Sequence, residues 1–195
     1  MIRLAGPFRH ALPDDVGALA ELTNFAGEGL PLVVWTHLVE AGESPWEVGR
    51  RRARRDEGSF SWRNAVVAEM NGAVVACLIG YPLQDPPAPV DYAEMPAMFR
   101  PLQELEDLAA GTWYVNVVAT YPEYRGQGLG AGLLGIAEEL ATESGAKGLS
   151  LIVADSNEGA RRLYERSGYA TRAKRPMVKE DWQTEGENWI LLVKE

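Results

Sequence analysis

The sequence predicts an α/β (α+β) fold in which a mixed, mostly antiparallel sheet of about seven strands is flanked by helices. Three observations lead there. Two apolar runs, Ala65–Met70 and Ala73–Tyr81, are joined by Asn71-Gly72, the strongest short hairpin signal a sequence offers. Trp113–Ala119, Gly128–Ser144 and Leu149–Ala154 read as strand, amphipathic helix and buried strand. Tyr169–Lys174 and Asn188–Val193 then supply two closing strands.

The elements follow in order. Ile2–Leu12 is extended, and at Pro13-Asp14-Asp15 an Asp is placed to cap a helix that puts Val16, Leu19, Ala20 and Leu22 on one face and runs to about Asn24. Gly27, Gly29 and Pro31 interrupt the pattern, which resumes over Val33–Arg55 as a second helix with a break near Gly42 and Pro45. Arg50, Arg51, Arg52, Arg54 and Arg55 close it, read first as cations facing solvent near a negative helix end and second as a patch for an anion or a partner. After the hairpin, Pro82–Gly111 carries Pro82, Pro86, Pro87, Pro89, Pro96 and Pro101 and ends in a helical pattern through Leu102, Leu105 and Leu108. Connections of this length are commonly lids or binding loops. The helix Gly128–Ser144 aligns Leu129, Leu133, Ile136, Ala137 and Leu140 on one stripe. Asp155 or Ser156 caps a last helix that ends around Ser167-Gly168. The expectation is one domain over 1–195, with residues 83–111 a long loop and helix insertion between strands.

Composition narrows the chemistry. The chain has 195 residues, 46% apolar and 24% charged, enough to bury on the order of 70% of its unfolded surface without a disulfide or structural metal. Its lone Cys77 has no disulfide partner, and His10 and His37 with one cysteine are too few nitrogen and sulfur ligands for a dedicated metal site. A net charge of -9 argues against sequence-blind binding to nucleic acid and permits a cationic small substrate. Met1–Asp15 lacks the apolar core of a secretory signal, and no uncharged stretch is longer than Leu108–Pro122. A cytoplasmic protein with no membrane partner is expected.

The informative stretch is Tyr124-Arg125-Gly126-Gln127-Gly128-Leu129-Gly130-Ala131-Gly132, between a strand and a helix. Each glycine in a helix interior costs about 1 kcal/mol against Ala, so the run asks for a reason. Close approach of backbone to a ligand is one, because the first turn of a helix leaves about four amides without partners at the positive end of its dipole. A pyrophosphate suits that site even in an acidic protein. Gly126-x-Gly128-x-x-Ala131 also satisfies the dinucleotide fingerprint, with Asp155 ending the next strand, but the match is weak: in the dinucleotide fold the first glycine follows the strand almost directly, whereas here Thr120–Arg125 intervene.

This segment resembles the acetyl-coenzyme A motif of the GNAT family of N-acetyltransferases: Arg or Gln, two variable residues, Gly, one variable residue, then Gly or Ala. Arg125, Gly128 and Gly130 meet it. A second signature of that family, Asn-x-x-Ala-x-x-Leu-Tyr followed by Gly-Tyr or Gly-Phe, is present as Asn157, Ala160, Leu163, Tyr164, Gly168 and Tyr169. Asn157 and Tyr164 are seven residues apart, on one helix face and about 10 Å along the axis, the length of a pantetheine arm. The resemblance implies a GNAT-like domain with splayed central strands and acetyl-coenzyme A as cosubstrate. It implies binding of the cofactor by Val118, Ala119, Thr120, Arg125, Gly126, Gln127, Gly128, Leu129, Gly130, Ala131, Asn157 and Arg161. Tyr164 is then the acid that protonates the departing thiolate, and the acetyl group passes directly to an amine of a small molecule or peptide. Family members are often dimers, so a homodimer is among the expected states.

An alkylamine must lose a proton before it attacks, which calls for a base. Some members of the family carry a Glu on the central strand, whereas Trp113–Val118 here contains no carboxylate. Candidates therefore come from loops: Glu28, Asp91, Glu94, Glu104, Glu106 and Asp107. Trp35, Trp46, Tyr92, Trp182 and Trp189 serve equally to line an acceptor pocket or fill the core, while Cys77, in an apolar strand, packs rather than reacts. Two other readings stand beside the transferase: a non-catalytic acyl-coenzyme A-binding module, motivated by the missing carboxylate, and an NAD(P)-binding oxidoreductase, resting on the glycine spacing alone.

Overall fold

The computed structural model describes residues 2–195; Met1, the first residue of the expected 1–195 domain, lies outside the described residues. Seven strands join in the order β1-β2-β3-β4-β5-β7-β6. They are β1 (Phe8–His10), β2 (Ala65–Met70), β3 (Ala73–Pro82), β4 (Trp113–Thr120), β5 (Leu149–Ala154), β6 (Ala170–Pro176) and β7 (Asn188–Lys194). The β1–β2, β2–β3, β5–β7 and β6–β7 pairs are antiparallel and β4–β5 is parallel, the mixed, mostly antiparallel sheet expected from the sequence. The parallel ladder covers Trp113–Val115 against Leu149–Leu151, and both strands continue past it.

The chain forms two compact units. One comprises residues up to Gly80 together with Val117–Ile136; the other comprises Tyr81–Asn116 with Ala137–Glu195. The first unit holds β1, β2, β3 as far as Gly80, and the helices α1 (Val16–Ala26), α2 (Leu30–Thr36) and α3 (Pro45–Ala53). The hairpin turns where expected, with Asn71 and Gly72 both at positive φ, the conformation a two-residue I′ turn requires. The break expected near Gly42 and Pro45 separates α2 from α3, and α2 starts at Leu30, ahead of the expected Val33. Ser44-Pro45-Trp46-Glu47 restarts the chain with a capping box, the Ser44 hydroxyl accepting from the Glu47 amide at 3.3 Å and the Ser44 amide donating to the Glu47 carboxylate at 2.6 Å. Asp15 does not cap α1 with its side chain; its carboxylate accepts from the Leu12 amide at 2.7 Å and from Arg9 at 2.7 Å, and Arg9 also donates to Glu69.

Leu19, Leu22, Val48, Val67, Cys77, Ile79 and Val117 form the core of this unit. Trp35 stacks on Phe60 at 5.9 Å and meets Trp46 edge-on at 6.0 Å. Both tryptophans therefore belong to packing, and Gly49 makes room for them, since a Cβ there would lie 2.6 Å from the Trp35 ring. Burial pushes the Cys77 thiol up to about 12, so it is inert as expected.

The second unit contains the insertion, α4 (Arg100–Asp107), β5 to β7 and α6 (Glu158–Arg166); the long helix α5 (Leu129–Ser144) contributes its C-terminal half. Leu105, Leu151, Leu191 and Leu192 are fully buried. Trp182 and Trp189 stack face to face at 5.6 Å and are likewise core residues. Thr112 and Ser150 share a buried hydroxyl–hydroxyl hydrogen bond of 2.6 Å beside the parallel ladder, and Arg175 of β6 donates to Glu104 of α4 at 2.6 Å. The cap of α6 is Asn157, rather than Asp155 or Ser156: its side-chain oxygen accepts from the Ala160 amide at 3.1 Å. Asp155 instead accepts from the Glu187 amide and the Asn188 side chain, both at 2.9 Å, holding the end of β5 against the start of β7. Among the described residues, no helix is long and apolar enough to cross a membrane, and no group of three or more His, Cys, Asp or Glu comes together to hold a metal ion.

Candidate active site

The glycine run divides by task. Beyond β4 a single turn, Pro122–Tyr124, leads to Gly126 and Gly128 at φ 77° and 82°, which side-chain-bearing residues rarely adopt. A Cβ at either would meet nothing within 4 Å, so this backbone faces open space. The helix starts at Leu129, with the Gly132 amide making the first bond back to the Gly128 carbonyl at 2.9 Å. The amides just before it have no acceptor within the helix and carry the positive end of its dipole. Gly132 has a packing role instead, since a Cβ there would lie 2.6 Å from the Phe8 ring. Arg125, Gln127 and Ala131 are exposed around the turn, and the Arg125 Nε donates to the Thr120 carbonyl at 3.2 Å, fastening the turn to the end of β4. Val118 and Thr120 are half-buried and Ala119 is buried, as alternate residues of that strand end.

The second signature lies on α6. Tyr164 is 8% exposed, and burial alone raises its hydroxyl to about 12, so the phenol holds its proton at neutral pH. Its ring lies 6.0 Å from that of Tyr169. Arg161, one turn earlier, donates weakly to the Asp155 carbonyl at 3.4 Å, while its buried Nε has no hydrogen-bond partner. A buried guanidinium donor left unsatisfied is costly, and a ligand acceptor would relieve it. Asn157 uses its side-chain oxygen in the helix cap, which leaves the two donors of its amide group outside that bond.

The acids of the insertion are sorted by their partners. Asp91 accepts from the Ala93 amide at 2.9 Å, Glu94 is exposed, and Glu104 is paired to Arg175. Asp107 accepts from the Tyr92 hydroxyl at 2.7 Å and from Gln103 at 2.9 Å, which also fixes Tyr92. Glu28 lies in the first unit, in a turn at φ 52°. Glu106 differs from these. Burial, with a smaller push from the Asp107 charge, raises its carboxyl to about 7. Its neighbours include Tyr114 of β4, whose hydroxyl is raised far above its ordinary value by burial and then by the charges of Glu106, Tyr81 and Tyr164. The rings of Tyr81 and Tyr114 meet at 5.7 Å. A cavity of about 260 Å³ opens here, with Tyr81, Leu83, Val90, Gln103, Glu106 and Asp107 in its wall. Sequence reasoning held Glu106 as one acid of six and missed Tyr114. A signal was present for Glu106: it follows Leu102 by four residues and so shares the apolar side of α4.

A family model described as the acetyltransferase (GNAT) family matches residues 33–169, well over half of the chain. The chain belongs to the GNAT acetyltransferase family. Acetyl-coenzyme A is the cosubstrate of this family, and this GNAT protein is an acyltransferase, which sets aside the dinucleotide reading of Gly126-x-Gly128-x-x-Ala131. Among solved structures it is similar to an acetyltransferase at 22% identity, covering 96% of this chain and 98% of that one, with a TM-score of 0.66. It is similar to an N-acetyltransferase from Staphylococcus aureus Mu50 at 18% identity, with 95% and 98% covered and a TM-score of 0.63. A ribosomal-protein-alanine N-acetyltransferase from Brucella melitensis matches at 23% identity, with 96% and 98% covered and a TM-score of 0.58. These likenesses concern the GNAT fold. No curated protein matches the sequence.

Proposed function

We propose that this GNAT protein transfers the acetyl group of acetyl-coenzyme A directly to a primary amine, with Tyr164 as the acid for the departing thiolate. Acetyl-coenzyme A supplies the activated thioester. Two features of the chain fit it: the backbone at Gly126 and Gly128, which faces open space, and the unpartnered Nε of Arg161. Arg125 and the amides from Gly126 to Ala131, Gln127 and Leu129 included, hold the pyrophosphate. The Asn157 amide and the backbone of Val118, Ala119 and Thr120 hydrogen-bond the pantetheine arm, and an amide at Val118 stabilises the carbonyl oxygen as it becomes negative.

The observation that carries the acid assignment is the state of Tyr164. A phenol held protonated by burial, with no hydrogen bond from its own protein contributing to that shift, is a proton donor waiting for an acceptor. The binding-module reading drew on the absence of a carboxylate from β4, and Glu106 on α4 provides one from another element. The test is thiol release from acetyl-coenzyme A with a panel of amines. Tyr164→Phe is expected to lower kcat by about 10²–10³-fold, the usual worth of a general acid, with the affinity for acetyl-coenzyme A within about twofold of wild type. Unchanged kcat removes Tyr164 as the acid; tight binding without turnover across the panel favours the binding module.

A further inference from the structure

We propose that the cavity beside α4 is the acceptor subsite, that it takes a compact, cationic primary amine with an apolar body, and that the Glu106 carboxylate accepts its proton. The inference rests on the acetyl-transfer reading above and adds to it the acceptor class and the base.

The walls state the chemistry. Leu83, Pro87 and Val90 of the insertion and the ring of Tyr81 offer apolar surface, while Glu106 and Asp107 place two carboxylates on one side. No Lys or Arg lines the cavity, so its field favours a cation. Its volume, about 260 Å³, lies just under the roughly 300–1,000 Å³ of ordinary ligand pockets, which suits a small amine. The two carboxylates are not equivalent. Asp107 is held by Tyr92 and Gln103 and serves as a fixed negative charge. The Glu106 carboxyl is shifted by burial and the Asp107 charge alone, with no hydrogen bond or cation among the causes, so it is available to a guest.

The groups facing Glu106 favour the same role. Asp107 on α4, Tyr114 on β4 and Tyr81 on β3 surround it, and none is a cation that would hold it ionised. Its carboxyl therefore titrates at about 7, against an alkylammonium near 10.4. An ordinary glutamate would be about six pH units below the amine; Glu106 is about three below. That shift of about 2.5 pH units narrows the unfavourable transfer roughly 300-fold, and a base titrating near working pH is the efficient one. Tyr114 feels the charges of both Glu106 and Tyr164, so the base and the acid lie within electrostatic reach of one side chain.

The protons balance. The ammonium gives one proton to the Glu106 carboxylate, and the freed nitrogen lone pair forms the C–N bond to the thioester carbon. The C–S bond breaks with its electron pair on sulfur, which takes the Tyr164 proton. The second proton leaving nitrogen restores Tyr164, and Glu106 releases its proton to water as product departs.

The test uses the full chain with 2-phenylethylamine and 1,5-diaminopentane as probes. Calorimetry in the presence of coenzyme A should show both amines binding wild type, and Ala88→Trp, at an exposed position of the cavity wall, should weaken binding at least tenfold while acetyl-coenzyme A affinity stays unchanged. In wild type, kcat/KM should rise with pH through a limb near 7. Glu106→Gln should lose that limb and fall at least a hundredfold at pH 8, with Glu106→Asp recovering part of it. The proposal is overturned if the limb survives Glu106→Gln, if Ala88→Trp leaves amine binding intact, or if peptides are acetylated and neither small amine binds. A dependence on Tyr164 that persists through such a result would leave the transferase reading standing alone.

Discussion

Replacing Glu106 with Gln should make the protein more stable above pH 7 and no more stable below about pH 4.5. The folded-state carboxyl titrates at about 7, while an unfolded chain would show the ordinary 4.5. Above both values the group is ionised in each state, and the fold pays for holding a charge among apolar neighbours. A displacement of about 2.5 pH units at 1.36 kcal/mol per unit puts that penalty at about 3 kcal/mol. The sign follows from proton counts: between 4.5 and 7 the folded state binds more protons than the unfolded, so stability falls as pH rises through that window. Below it both carboxyls are protonated and the penalty is gone. Gln keeps the shape and carries no charge, though its amide is partly desolvated too, so a gain of about 1–3 kcal/mol at pH 8 is expected. For a chain of this length each kcal/mol moves Tm by about 2–4 °C. The assay is urea unfolding of both proteins at pH 4.5, 6, 7 and 8. A stability difference that does not change with pH, or a less stable variant at pH 8, refutes the assignment of a desolvated carboxyl to this cavity. A gain in stability coupled to a loss in turnover is the usual signature of a group kept for function.

Other expectations concern the glycines. Gly128→Val forces a β-branched residue to φ 82° and adds bulk to an open backbone, so the KM for acetyl-coenzyme A should rise more than tenfold. Gly135→Ala on the exposed side of the same helix, where a Cβ meets nothing within 4 Å, should leave KM unchanged and stabilise by about 0.5–1 kcal/mol in urea unfolding; loss of cofactor affinity there would contradict the division of roles. Gly49→Ala drives a methyl to within 2.6 Å of the Trp35 ring, which Phe60 and Trp46 pin in place, and should lower Tm by several degrees at about 1–3 kcal/mol. An unchanged Tm would mean the ring moves freely.

What could be read in advance was set by short-range physics. Asn71-Gly72 announces its hairpin because few residues tolerate two successive positive φ angles. β5 comes out as Leu149–Ala154 because an apolar run bounded by glycine and acid has little choice. Errors arose where two local signals competed. The break near Gly42 and Pro45 was legible, but the start of α2 was not, since Pro31 reads as an interruption and sits instead in its first turn; Asp15, a good cap by composition, was drawn away by Arg9, six residues earlier. Asp155 and Ser156 were equally plausible caps for α6 until the backbone placed Asn157 at the corner.

Family and cosubstrate were legible in the chain before folding, because they depend on residues close together along it: a glycine turn opening a helix, and an Asn and a Tyr seven positions apart. The tertiary structure alone distinguished Glu106 from the other acids. A carboxyl group's charge cost depends on the neighbours that exclude water and the cations that do or do not stand nearby. Tyr81 lies 25 residues before Glu106 and Tyr114 eight after it, on two strands that only folding brings against α4. Local pattern places a side chain on a face; solvation and charge around it are properties of the assembled fold.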